Sequence, residues 1–284
     1  MNDIWVSDAG RAAVHARYTE MLGRWPVPAE QRKVSTREGE TFVVACGPVS
    51  APPVLLLQGS GANAAMWMRD IAAWAEYLRV YAVDVIGEPG FSAPSRPGLA
   101  SEAYAQWLDD VMEALGLVRS SFVGVSLGGW LVLDYATRRP GRVDKVVLVG
   151  PAGVGRQKSG FVFKAVALML LGRWGRRKAM ALAIGPMSGP PHPADREIGM
   201  LALLISKHFR RRRANVPLFR DEALKRLTMP VLAIVGAQDA LLDSHGTRRR
   251  LEQLVPRATV QLLPHAGHVV RDKTAAILDF LRVG

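Results

Sequence analysis

Seven short apolar runs, rich in β-branched residues, alternate along the chain with segments of helical period, and no other feature limits the fold as tightly. The runs fall at 41–46, 54–57, 80–85, 122–125, 143–149, 231–235 and 259–263. Most are apolar at every position, as a strand must be when both of its faces are covered; a strand with one wet face alternates instead. Helical patterns fit between them at 64–77, 101–115, 127–139, 247–254 and 273–281. Strand and helix in this order predict an α/β fold with a mostly parallel, doubly wound sheet. Ahead of it, 9–25 reads as a leading helix, and 33–46, with Glu38-Gly39-Glu40 at its middle, as an antiparallel hairpin.

At 284 residues, 49% of them apolar and 22% charged, the chain can build one large domain or one domain with an insertion, and disorder is excluded as its main state. The single cysteine, Cys46, is expected in a buried strand, and no Cys/His cluster has zinc spacing. No metal or other cofactor is expected. The strongly apolar stretch 161–171 contains Lys164 and falls well short of the roughly 20 residues a membrane span needs. Met1 to Val6 lacks the basic start and apolar stretch of a signal peptide, so a cytoplasmic location is expected.

Lysine and arginine outnumber aspartate and glutamate by 37 to 25, and the whole excess sits in residues 153–226, which hold 16 bases and 4 acids. There, apolar runs alternate with basic clusters such as Arg176-Arg177-Lys178 and 210–213 around a turn-rich stretch at 185–193. This texture predicts an inserted helical cap at 153–226, leaving 1–152 and 227–284 as the core and 1–30 as its leading helical extension. The basic charge has three readings: a solvated outer face, attraction of an anionic substrate, or weak adsorption to anionic lipid through 161–171 and the cations after it. Nucleic acid is not expected as a partner. No nucleic-acid motif accompanies the charge, and Phe161, Phe163, Trp174, Phe209 and Phe219 fit a pocket lining or cap core.

The residues that carry chemistry begin at Gly124-Val125-Ser126-Leu127-Gly128-Gly129, a GxSxG pattern placed where a buried strand turns into a helix. A serine at such a turn is held outward, flanking glycines leave room for it, and the N–H of Leu127 at the helix start is free to face developing negative charge. A serine hydroxyl needs a base, and the base needs a group to hold its tautomer. Run 231–235 ends in Gly236-Ala237-Gln238-Asp239, and run 259–263 ends in Pro264-His265-Ala266-Gly267-His268. Parallel strands deliver both segments to the sheet edge that carries Ser126, in the chain order Ser, Asp, His.

Taken together, these segments resemble the α/β-hydrolase superfamily over nearly the whole chain, and the small bacterial carboxylesterase-type hydrolases in particular. Ala65-Met66-Trp67 after the third strand and Tyr81 to Gly87 at the fourth add to that likeness. The resemblance implies an α/β-hydrolase fold, Ser126 as nucleophile, Asp239 as orienting acid and His268 as general base. It also implies an oxyanion hole made by the backbone N–H groups of Ser60 and Leu127. The loop in question is Gln58-Gly59-Ser60-Gly61, with Gln58 where the family most often has histidine.

Each assignment has a competitor. Asp243 competes with Asp239 but sits before Ser244 as a helix N-cap would, and His265 competes with His268. His15, His192, His208 and His245 have no motif partner and are expected at the surface or in packing. Gly59-Ser60-Gly61-Ala62-Asn63-Ala64, with Asp84 twenty residues beyond Ala64, also satisfies a dinucleotide-binding pattern. The hairpin before this strand and the Ser-Asp-His set elsewhere argue against that use. The expected function is serine hydrolysis of a carboxylic ester on a small-molecule substrate with an apolar portion. Cleavage of a C–C bond by the same machinery, and ligand binding on a hydrolase scaffold, stay open as alternatives.

Overall fold

Apolarity at every strand position has a direct outcome in three dimensions. Along Pro53–Leu57, Leu55 and Leu57 pack on one side of the sheet with Trp107, Leu131 and Leu251, while Val54 and Leu56 pack on the other with Trp67, Ile71 and Ile277. The computed structural model describes residues 4–158, 160, 167–168, 170–187, 189–212, 215–271 and 273–283. In chain order its principal elements are α1 (Asp8–Leu22), β1 (Ala29–Thr36), β2 (Gly39–Cys46), β3 (Pro53–Leu57), α2 (Ile71–Ala75), β4 (Arg79–Val83), α3 (Ala103–Ala114), β5 (Ser120–Val125), α4 (Leu127–Arg138) and β6 (Val143–Val149). There follow α5 (Gly172–Ile184), α6 (Pro193–His208), α7 (Asp221–Leu224), β7 (Val231–Gly236), α8 (Ser244–Leu254), β8 (Ala258–Leu263) and α9 (Thr274–Arg282). The strands form one sheet in the order β1-β2-β4-β3-β5-β6-β7-β8.

Strands β1, β2 and β4 pair antiparallel, and every pairing from β4 through β3 to β8 is parallel. The segments after β3, β5, β6, β7 and β8 therefore all leave from the same edge. Helices α3, α4 and α8 cover one face and α1, α2 and α9 the other, the doubly wound arrangement expected from the sequence.

Helix α1 is joined to the segment between β6 and β7. Val6 N–H donates to the His208 carbonyl at 2.9 Å, Arg210 N–H donates to the Ile4 carbonyl at 2.8 Å, and Arg17 pairs with Glu197. Gly10 lies directly under His208, where a Cβ would come within 2.4 Å of Nδ1. Of the five aromatics in that segment, Phe161 and Phe163 lie outside the described residues, as does most of 161–171. Phe209 packs edge-on against Trp5 at 5.8 Å, Phe219 stacks on Trp130 at 5.4 Å, and Trp174 is 58% exposed. Cys46 is buried in β2, as expected.

Two elements depart from the sequence pattern. The hairpin begins at Ala29 rather than Lys33, because 29–32 pair with β2 along an exposed edge that carries no apolar alternation. The helical stretch 64–77 is broken into a 3₁₀ turn at Ala64–Trp67 and the short α2. Asn63 caps the first piece by accepting from Ala65 N–H, and the break turns Asp70 inward. There its carboxylate accepts from Lys273 Nζ at 2.7 Å and from Thr274 Oγ1 at 2.5 Å. Long-range pairing of a buried charge overrides local helix propensity here.

Both partners of that pair are buried, Asp70 at 1% and Lys273 at 7% exposure, so removing one leaves a charge without compensation. Asp70→Ala is expected to destabilise the fold by about 3–5 kcal/mol in urea unfolding; a change within ~0.5 kcal/mol of wild type would contradict the pairing. A second buried acid gives a pH signature. Asp84, just beyond β4, accepts from the N–H groups of Ala64 and Phe91, both at 2.8 Å, and from the Tyr18 hydroxyl at 3.1 Å. Burial outweighs these bonds and pushes its carboxyl from 3.8 up to about 6. A carboxyl raised on folding holds its proton more tightly in the native state, so its contribution to stability falls as pH rises through that window. Relative to Asp84→Asn, the wild type should lose on the order of 2–3 kcal/mol between about pH 4 and about pH 6. Parallel unfolding profiles for the two proteins across that range would exclude the buried acid as their source.

Candidate active site

Chain geometry at the end of β5 is strained in one place. Ser126 has φ 52° and ψ −109°, the one non-glycine with positive φ among the described residues. Such a conformation costs about 1–3 kcal/mol and persists only where the surroundings impose it. Here they do: Ser126 N–H donates to the Val149 carbonyl at 3.0 Å, and its carbonyl accepts from the N–H groups of Trp130 and Ala152, each at 3.1 Å. The flanking glycines are required by contact. A Cβ on Gly124 would lie 2.5 Å from the Gly128 carbonyl oxygen, and one on Gly128 would lie 2.0 Å from that of Leu57. The serine is thereby lifted out of the strand-to-helix turn, half-exposed above a buried backbone.

Asp239 follows β7 and is buried, at 2% exposure. One carboxylate oxygen, Oδ1, accepts from the N–H groups of Leu241 (2.7 Å) and Leu242 (3.0 Å), which fixes the side chain. The other, Oδ2, lies 2.7 Å from Nδ1 of His268, in the loop after β8. With Nδ1 engaged, Nε2 is the ring nitrogen left to exchange a proton. The ring sits against Gly150, where a Cβ would be 3.7 Å from both its Cε1 and its Nδ1. Gly150 follows Val149, whose carbonyl anchors Ser126. The imidazole and the serine elbow are thus both held against the end of β6, on the edge to which β5 and β8 also run.

The loop after β3 lies alongside the elbow: a Cβ on Gly59 would be 3.5 Å from that of Ser126. Gln58 is fully buried, with its amide nitrogen 2.6 Å from the Val83 carbonyl and its oxygen 2.8 Å from Val85 N–H in the orientation that satisfies both. A side chain in the place usually held by histidine therefore ties the loop to β4. Among the described residues, no acceptor is paired with the backbone N–H of Ser60 or of Leu127. Two donors beside a raised serine can bind an oxygen that gains negative charge.

The competing residues occupy other roles. Asp243 caps α8, accepting from Gly246 N–H at 2.9 Å, and His265 is exposed. His192 caps α6, His15 contacts the Gly90 carbonyl at 3.1 Å, and His245 is exposed. Asp84 is sealed beneath the Ser60 loop, its carboxylate occupied by Ala64, Phe91 and Tyr18, so it presents no acceptor to a ribose.

Two further contributions had no motif to announce them, and a third comes from a glycine inside the 264–268 stretch. Lys158 Nζ donates to the Asp239 carbonyl at 2.6 Å, and Lys158 N–H donates to that of Leu241, binding the start of the β6–β7 segment to the acid's loop. Glu88, at 2% exposure, accepts from Gly61 N–H at 2.6 Å. Burial pushes its carboxyl up; that N–H and the positive charges of Arg96, Arg211 and Arg212 pull it back in part. The one available signal was an acid inside a stretch, 85–90, that is otherwise apolar or turn-forming. Gly267 is pressed between two chain segments, since its own Cβ would fall 2.7 Å from Gly185 Cα and a Cβ on Gly236 would fall 2.1 Å from the Gly267 carbonyl oxygen. Its N–H donates to Pro186 at 2.7 Å, and Val269 N–H donates to Ile184 at 3.3 Å, so the end of α5 is hydrogen-bonded to the loop that carries His268.

A cleft of about 1530 Å³ lies farther along the same region, lined by Trp5, Phe91, Pro94, Arg96 and Arg210 to Arg212. Ser126, Asp239 and His268 are not among its lining residues. It reaches the site through Arg211, whose Nη1 donates to the Ser60 carbonyl at 3.1 Å.

Comparison with known proteins identifies the family of the fold. The sequence profile of the Alpha/beta hydrolase family matches residues 54–279. Carboxylesterase YbfK of Bacillus subtilis (strain 168) is 33% identical over 257 residues, which cover 89% of this chain and 86% of that protein. The crystal structure of carboxylesterase CesB (YbfK) from Bacillus subtilis superposes with a TM-score of 0.82 at 30% identity, covering 97% of this chain and 99% of the other. That of naproxen esterase from the same species gives 0.82 at 29% identity, with 97% of each chain covered. With a profile match over most of its length and relatives of this identity and coverage, the chain belongs to the α/β-hydrolase family.

Proposed function

We propose that the protein is a serine hydrolase that cleaves a carboxylic ester through an acyl-enzyme. Ser126 Oγ attacks the ester carbonyl while His268 takes its proton at Nε2; Asp239 holds the ring by Nδ1 and offsets the charge it acquires. The carbonyl oxygen becomes anionic and is bound by the N–H groups of Ser60 and Leu127. His268 then returns the proton to the leaving alcohol, and water repeats the cycle on the acyl-enzyme. The observation that carries this reading is the hydrogen bond between Asp239 and His268 at the sheet edge that also bears the strained Ser126. The carboxylesterase names of the relatives favour an ester over the C–C bond that the same machinery can also break. In this reading 153–226 is the cap over the acyl or alcohol portion of the substrate.

A second feature of the substrate follows from the arginine-lined cleft beside the Ser60 loop: an anionic group on the acid or alcohol portion, drawn in by Arg96, Arg210 and Arg212. No helix among the described residues is long and apolar enough to cross a membrane.

Ser126→Ala should lower kcat by about 10⁴ to 10⁶, and Asp239→Asn by about 10⁴. Asp243→Asn should leave kcat near wild type; the reverse pattern between the two aspartates would overturn the acid assignment. A fluorophosphonate should label Ser126 and no other residue. Across p-nitrophenyl esters of increasing acyl length, longer chains should be accepted, and activity confined to acetate would count against an apolar pocket. With an ester that carries a carboxylate, KM should rise with ionic strength, whereas a neutral ester should give a flat response; flat responses for both would remove the anionic group from the proposal.

A further inference from the structure

Ser60 contributes its own N–H to the proposed oxyanion hole, and the next peptide unit along the chain is gripped at both ends. That unit comprises the Ser60 carbonyl and the Gly61 N–H. The N–H donates to Glu88 Oε2 at 2.6 Å, and the carbonyl accepts from Arg211 Nη1 at 3.1 Å. The two partners come from opposite sides. Glu88 lies below, in the loop after β4, at 2% exposure; Arg211 is exposed and reaches over from the β6–β7 segment.

The geometry leaves little slack. Gly61 has φ +74°, a conformation that disfavours any other residue, and a Cβ on it would stand 2.8 Å from Arg211 Cζ. A glycine here therefore serves both the turn and the close seat of the guanidinium. On the other side of Ser60, Gln58 anchors the chain to β4 and Gly59 lies against the elbow. Both bonds on the 60–61 peptide are charge-assisted, the stronger kind of hydrogen bond. They also act in the same sense, one carboxylate on the N–H and one guanidinium on the carbonyl, so rotation of the peptide plane would break both at once. With that plane fixed on one side of Ser60, and Gln58 and Gly59 held on the other, the peptide that carries the Ser60 N–H is restrained from both ends.

We infer that Glu88 and Arg211 are positioning residues that clamp the 60–61 peptide and thereby aim the Ser60 N–H at the oxyanion. The inference rests on the Ser126 mechanism proposed above. Both side chains act on the donor through the backbone, Glu88 on the Gly61 N–H and Arg211 on the Ser60 carbonyl. Their effect should be confined to the transition state, where the donor matters, and be absent from ground-state binding. The clamp also makes the β6–β7 segment a part of the catalytic apparatus through Arg211.

The test compares Glu88→Ala, Glu88→Gln, Arg211→Ala, Arg211→Lys and the Glu88→Ala/Arg211→Ala pair with wild type and Ser126→Ala. The readouts are kcat and KM on a p-nitrophenyl ester and affinity for an alkyl trifluoromethyl ketone, to whose carbonyl carbon Ser126 adds so that its oxygen becomes an anion. Losing one oxyanion donor outright costs about 10² to 10³ in kcat, so misaiming it should cost about 10-fold to 100-fold. Glu88→Ala is expected in that range with KM within about twofold of wild type, and the ketone should weaken by the same factor as kcat/KM. Glu88→Gln, which keeps an acceptor oxygen for Gly61, should recover most of the loss, and Arg211→Lys should exceed Arg211→Ala. The double variant should lose less than the product of the single losses, because both grips act on one peptide.

A folded Glu88→Ala with unchanged kcat would overturn the inference, as would losses that appear only in KM. Should Glu88→Ala fail to fold, Arg211→Ala, at an exposed position, decides alone: unchanged kcat and unchanged ketone affinity would overturn the clamp. Failure of the parent reading looks different, since Ser126→Ala would then retain turnover and the fluorophosphonate would label another residue.

Discussion

The left-handed backbone at Ser126 depends on glycines that bring three chain segments into contact where no side chain fits. Gly128 presses on the Leu57 carbonyl at the end of β3, and Gly124 presses on the first turn of α4. Larger residues would part the strand from the helix and let the serine relax into an ordinary turn, level with its neighbours. The conformational cost is met locally by bonds to Val149, Trp130 and Ala152, which in turn need the parallel register of β5 and β6. The geometry of the proposed nucleophile is therefore inseparable from the packing of the sheet's centre.

The arrangement around it follows a division of labour between edge and interior. Parallel pairing brings the ends of β3, β5, β7 and β8 to one edge, so the Ser60 loop, the Ser126 turn, Asp239 and His268 lie along it although they come from four separate stretches of the chain. Buried acids then hold the loops. Asp239 spends one oxygen on its own loop and the other on His268, Asp84 takes up free N–H groups at Ala64 and Phe91, and Glu88 takes up that of Gly61. Each carboxylate satisfies backbone donors that would otherwise be stranded among apolar side chains.

Much of this was legible in the residues themselves. Continuous apolarity marked the parallel strands, because covering both faces of a strand leaves a direct imprint on composition. The serine turn was legible because its glycines follow from local crowding, and the segments bearing Asp239 and His268 because each stands just past a recognisable strand; the choice of His268 over His265 came from the family resemblance and not from strand position. Asp243 could be set aside by its place before Ser244, and the structure makes it a helix cap. What could not be read depended on partners far away in the chain. The break at 68–70 arises because Asp70 meets Lys273, some two hundred residues later. The edge position of Ala29 to Arg32 leaves no apolar pattern to detect. Lys158, Glu88 and Arg211 belong to no motif, since each acts on a backbone group whose position only the folded sheet defines.

The contact between Gly267 and Gly185 has a mechanical consequence. Two backbones touch there without side chains between them, and a pair of hydrogen bonds joins the end of α5 to the strand of loop that bears the imidazole. A hinge opened at that end of α5 would drag His268, the proposed proton acceptor, away from its place at the sheet edge. In the proposed mechanism, reactants would pass by a doorway elsewhere, with this seam staying shut as the fixed post of the frame.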